Sequence, residues 1–142
     1  MTVLEYLLRP ENIQREIDRK YSRIAALRRN AERLTAPPQE VRVQSTPDPA
    51  FIQTLLAEAT DEEQAISRLQ EKKLQVLAET ALYLSVLPDR QLSVMELHYL
   101  DGCCWKDTAL RLDYSLSSVF RLHQQALSML PLPPEAPEED PA

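Results

Sequence analysis

Glycine occurs once in the 142 residues, at Gly102, and its scarcity excludes a good deal. Hairpin turns and phosphate-cradling loops both draw on glycine's freedom at positive φ, so neither a β-rich fold nor a nucleotide-binding loop is expected. The chain has two histidines and two cysteines. Cys103 and Cys104 are adjacent, an awkward geometry for a mutual bridge. Neither they nor His98 and His123 stand at metal-ligand spacing. The thiols read as small buried or half-buried groups in a reducing cytosol. No apolar run approaches the ~20 residues that a membrane span needs. The opening "MTVLEYLLRPEN" has neither the basic region nor the small-residue cleavage site of a secretory signal. No Gly-rich loop, metal cluster or nucleophile elbow is visible, so an enzyme is not expected and no cofactor is implied.

The residues that are abundant, Leu, Ala, Glu, Arg and Gln, are good helix formers, and the fold class expected is all-α. The net charge of −6 looks wrong for a nucleic-acid binder, but its distribution is uneven. Residues 1–34 carry eight Arg and Lys against five Asp and Glu, whereas residues 131–142 carry four acids and no base. The location of charge therefore says more than its sum.

From Ile13 a heptad pattern begins. Ile17, Ile24 and Ala31 share one seam position; Ile13, Leu27 and Leu34 share the other, with Lys20 as the exception. This predicts a helix over about 12–35, with Pro10 in its first turn or in the link before it. "TAPPQEVRVQSTPDP" (35–49) is too rich in proline for a helix and reads as a loop. Asp48 is placed to cap a second helix over about 50–87. There Ile52, Leu55, Ala59, Ile66, Leu69, Val76, Tyr83 and Leu87 keep the apolar spacing, with Glu62, Lys73 and Thr80 as polar interruptions. The two helices can pair as an antiparallel coiled-coil hairpin (1–87). The surplus apolar surface of "LQVLAETALYLSVL" then asks for another partner, either the C-terminal segment or a second chain, and a homodimer through the hairpin is expected.

Pro88 ends the hairpin and Asp89 is placed to cap a helix of about 90–100. "DG" at 101–102 is a turn, followed by a helix of about 105–112 and then "LDYS", where Ser115 caps a last helix of about 116–130. These form a small three-helix domain (88–130), after which the acidic, Pro-rich residues 131–142 have little to bury and are expected to be disordered. At 100° per residue, Leu116, Val119, Phe120, His123, Ala126, Leu127 and Leu130 of the last helix point inward. Ser117, Ser118, Arg121, Gln124, Gln125 and Ser128 point out. Residues 114–134 contain no Asp or Glu. A solvated face normally mixes both signs; one that excludes acids and offers donors suits phosphates and base edges. A short helix, a tight turn and a Ser-capped helix form the helix-turn-helix pattern. Asp113 tolerates the left-handed turn position, and Ala109 is small where the helices meet. The candidate DNA-binding residues are Lys106, Ser115, Ser117, Ser118, Arg121, Gln124 and Gln125.

"LPDRQLSVMELHYLDGCCWKDTALRLDYSLSSVFRLHQQALSML" (87–130) resembles the C-terminal, −35-reading helix-turn-helix of bacterial sigma factors. The likeness lies in Leu87-Pro88, Arg90, Val94, Tyr99-Leu100, Gly102, Ala109, Leu112, Ser115, Val119 and Ala126. Over nearly the whole chain, with two long helices and a Pro-rich loop ahead of it, the sequence is similar to the ArpU-type and RinA-type regulators of phages and prophages. That resemblance implies an activator of late phage genes acting on double-stranded DNA in the cytoplasm of a bacterial host, in reach of RNA polymerase. It departs from the sigma pattern at Lys106, Asp107 and Thr108, where an acidic pair and an aliphatic residue are usual, and in having Arg121 as the lone base on the last helix. Two other readings use the same residues: a module that docks on RNA polymerase or a phage protein, and a small DNA-packaging (terminase) recognition subunit.

Overall fold

The computed structural model describes residues 1–35 and 48–134, and within them every regular element is helical. Most of the expected loop, including "EVRVQ", and most of the expected tail lie outside the described residues. The helices are α1 (Val3–Leu7), α2 (Arg9–Thr35), α3 (Pro49–Leu84), α4 (Asp89–Met95), continued by a π-helical turn over Glu96–Leu100, α5 (Trp105–Leu112) and α6 (Leu116–Met129). The chain folds as two compact units, one from Met1–Asn12 together with the chain from Lys73 onward, the other Ile13–Lys72. Residues 1–12 and 73–87, grouped with the hairpin on sequence grounds, thus belong with α4–α6. The reason is on their inner side: Leu84 and Leu87 join Leu7, Met95, Tyr99, Ala126 and Leu130 in one apolar cluster.

Within Ile13–Lys72 most of the predicted seam is buried, Ile13, Ile17, Ile24, Leu27 and Ala31 on α2 and Leu55, Ala59 and Ile66 on α3, while Leu34, Ile52 and Leu69 are half-buried. Asp48 caps α3 by accepting from the Ala50 amide at 3.0 Å. Lys20 Nζ meets Glu62 Oε2 at 3.1 Å, Arg23 meets Glu58 at 3.6 Å, and Arg28 pairs with Glu63. Lys20 and Glu62, which interrupt the two seams within this unit, are therefore partners.

In the other unit a helix absent from the sequence prediction, α1, is started by a reciprocal capping box between Thr2 and Glu5. Leu7 is buried, and the Tyr6 ring meets Tyr83 edge-on at 4.8 Å. Arg9 lies over the Tyr6 ring and reaches Glu79 at 3.2 Å. Pro10 falls in the first turn of α2, where a missing amide costs nothing. α3 ends at Leu84, short of the predicted 87, and the chain turns through Ser85–Leu87. Pro88, not Asp89, takes the cap position of α4, and no side chain caps it. A second cluster, Val94, Ala109, Val119 and Leu122, joins α4, α5 and α6, with Trp105, Leu112 and Tyr114 packed on it. Thr80 and Thr108 are buried yet satisfied, each hydroxyl donating to the carbonyl four residues back. Tyr83 donates to the Pro131 carbonyl, which ties down the start of the C-terminal segment.

Candidate nucleic-acid interface

The link between α5 and α6 is made without glycine. Asp113 sits at φ 57°, ψ 41°, the left-handed region that an L-residue enters at a cost and that Asp tolerates better than most. This reversal lets the Tyr114 amide donate back to the Ala109 carbonyl at 3.0 Å and the Asp113 amide to Leu110 at 3.3 Å, closing the end of α5. Two residues later Ser115 is extended (φ −69°, ψ 154°), and its Oγ accepts from the Ser118 amide at 3.2 Å. Ala109 is buried beside Val119, so a small side chain stands where the two helices converge.

The first turn of α6 carries three hydroxyls within hydrogen-bond reach: Ser115 Oγ is 2.8 Å from Ser118 Oγ and 3.3 Å from Ser117 Oγ. Ser117, Arg121, Gln124 and Gln125 are exposed, and Ser118 is half-buried by its part in the cap. Gln125 is oriented from outside its own helix, its Oε1 accepting from Gln91 Nε2 of α4 at 3.0 Å. Lys106 is exposed but belongs to the first turn of α5. Among the described residues Arg121 makes no ion pair, and α6 carries no carboxylate that could neutralise it. The arrangement is an outward face of hydroxyl, amide and guanidinium groups behind a helix N-terminus, which is chemistry for phosphate oxygens and base edges.

The inward face differs from the sequence prediction at three residues. Leu122, left out of the predicted inward set, is buried, whereas Leu116 and Phe120 are 41% and 43% exposed. The direction of the core is set by α4, whose Val94 packs with Val119 and Leu122. Phe120 stays at the edge, its ring 5.6 Å from that of Trp105.

Behind this face lies an aromatic cluster that periodicity does not reveal. The π-helical turn lets Asp101 donate to the Glu96 carbonyl and Cys103 to that of Leu97, bringing Cys103 back under His98. His98 Nδ1–H donates to the Cys103 carbonyl at 2.8 Å, and the ring stacks on Trp105 at 3.6 Å. Burial holds the His98 imidazole below its ordinary range, against smaller upward pulls from that carbonyl and from Glu11. His123 is half-buried, as its inward position predicts, with Nε2 2.7 Å from the Tyr99 hydroxyl. Burial, and then the His98 charge, lower its pKa. Burial, helped by Glu11, pushes Tyr99 up to about 12. These shifts agree on one pattern: a protonated phenol donating to a neutral imidazole. Cys103 is buried, but Cys104 is exposed, contrary to the expected burial, and its Sγ accepts from the Asp107 amide at the start of α5. Among the described residues no group of three or more His, Cys, Asp or Glu could hold a metal ion, and no helix is long and apolar enough to cross a membrane. Comparison with family models, with curated proteins and with solved structures gives no match.

Proposed function

We propose that this chain is a sequence-specific DNA-binding transcriptional regulator, with α2–α3 as a helical hairpin and α4–α6 as a sigma-like helix-turn-helix. In this reading α6 lies in the ~12 Å wide major groove. The observation that carries it is the outer face of α6, where Ser117, Arg121, Gln124 and Gln125 stand exposed on a helix without a single carboxylate, in a chain of net charge −6. Arg121 contacts a guanine edge or a phosphate. Gln124 and Gln125 contact bases or backbone, the latter held by Gln91. Ser115, Ser117, Ser118 and Lys106 hold phosphates at the helix N-termini. The likeness to ArpU-type and RinA-type regulators supports a role in activating late phage genes in the bacterial cytoplasm, alongside RNA polymerase. With one base on α6, each copy releases few counterions, so affinity has to come from a second half-site or from polymerase.

Gel-shift titration against the DNA upstream of the protein's own gene and of its neighbours tests this. Arg121→Ala is expected to weaken specific binding by ~1–3 kcal/mol; unchanged binding removes the proposed face. A second reading, a module docking on polymerase or another protein, draws on exposed Leu110, Leu116 and Phe120 around the same two helices. Salt separates the two: DNA binding weakens steeply between low and moderate salt, while apolar docking does not.

A further inference from the structure

The amide of Gln125 is held from another helix. Gln91 Nε2 on α4 donates to Gln125 Oε1 on α6 at 3.0 Å, between residues 34 positions apart. Gln125 is exposed and Gln91 half-buried. At a surface such a bond adds little to stability, because water satisfies both amides and each side chain gives up rotamer freedom to make it. What it fixes is direction. A free amide turns either group toward whatever approaches; one whose oxygen is anchored offers acceptor and donor in a set order. Gln124, beside it on α6, is exposed and has no such anchor among the described residues.

The carbonyl oxygen of a glutamine has two lone pairs and its nitrogen two hydrogens. Gln91 takes up one lone pair of Gln125 Oε1. The other lone pair and an Nε2 hydrogen remain side by side as an acceptor and a donor. In the major groove adenine answers both, its N6 amino group donating and its N7 accepting. Guanine sets its O6 acceptor against Oε1, and cytosine and thymine each offer one polar group. Resting on the reading that α6 lies in the major groove, we propose that Gln125 reads an adenine through this pair of hydrogen bonds. Gln91 is the positioning residue that sets the order of the two groups. The recognised sequence then contains an adenine at the position that Gln125 faces.

The test is selection of bound sequences from a random duplex library by the full chain, followed by titration of single-base variants of the selected duplex. One position should hold adenine, favoured over the other bases by about fivefold to a hundredfold, and Gln125→Ala should erase that preference. Replacing this adenine by 7-deazaadenine, which lacks the N7 acceptor, should weaken the parent and leave Gln125→Ala indifferent. The anchor is tested by its direction. Gln91→Lys can only donate and should keep the adenine preference. Gln91→Glu can only accept, which turns the Gln125 nitrogen toward α4 and should abolish it. Each readout is a ratio between two duplexes, so the added charge acts on both alike. A role of Gln91 in folding alone would not separate Lys from Glu. An enriched sequence with no adenine governed by Gln125, or the same preference in Gln91→Lys and Gln91→Glu, overturns the inference while α6 stays a DNA-reading helix. A parent that enriches no sequence at all overturns the reading of α6, and this inference with it.

Discussion

The two units of the chain are held together in different ways. Between Ile13 and Lys72 the apolar contacts form a seam about one residue wide per turn, bordered by Lys20–Glu62, Arg23–Glu58 and Arg28–Glu63. In the unit built from the N-terminus and the chain beyond Lys73, two apolar clusters interlock. That unit holds Leu7, Thr80, Leu84, Val94, Met95, Thr108 and Val119, which with Ile17 are the largest of the fully buried side chains. Burial in depth gives each of these residues neighbours on all sides, whereas a seam between two helices leaves one flank near water. The candidate face of α6 thus stands on the more deeply packed of the two units, which suits a face that would have to present side chains in fixed positions.

Truncation should expose this difference most strongly. Leu84→Ala removes a fully buried side chain from the centre of one cluster and should cost about 2–5 kcal/mol in chemical denaturation. Ile24→Ala, in the seam, should cost less, because the flanks can close in. Equal losses at the two sites would erase the distinction drawn above.

Between pH 7 and pH 5, acid should act chiefly on one unit. Both histidines of the chain, His98 and His123, lie in the C-terminal unit, and burial lowers the pKa of each. Below the unfolded value of about 6.5 the unfolded chain binds protons that the folded cluster resists, so stability is full above that pH and falls as the pH drops through and below it. Trp105, the one tryptophan, stacks on His98 and reports the loss by fluorescence. The midpoint of urea unfolding followed by Trp105 should therefore fall between pH 7 and pH 5, and His98→Gln with His123→Gln should flatten that dependence. The unit Ile13–Lys72 contains no histidine and should be indifferent over this range.

Periodicity alone was enough for the long helices: each apolar seam position from Ile13 to Ala31 is buried, and the caps by Asp48 and Ser115 and the left-handed Asp113 stand where residue chemistry puts them. What escaped depends on neighbours distant in sequence. The helical wheel of α6 fixes angles around one axis but not where the core lies, so Leu122 and Phe120 exchange roles once α4 is in place. The π-helical turn at 96–100 leaves no compositional trace, and without it Cys103 could not return to His98. α1 is five residues long, too short for a periodic signal, although Thr2 and Glu5 already spell its capping box. The candidate residues of α6 were legible because an absence marked them, the want of acids from 114 to 134.

The smallest expected effect concerns Lys20 and Glu62, which break the two seams and find each other across them. At 26% and 30% exposure the pair is partly shielded, whereas Arg23–Glu58 is open to solvent at 61% and 49%. A double-mutant cycle should give no more than about 1 kcal/mol for the first pair, reduced by salt, and close to nothing for the second. Replacing both Lys20 and Glu62 by Leu should raise stability, because an apolar pair carries no desolvation cost, while removing the charged contact that lies within the seam and helps mark the register of α2 against α3. Hydrogen exchange along the two helices reads the outcome: higher protection with loss of a single register supports that role, and higher protection with an unchanged pattern assigns register to the apolar seam alone.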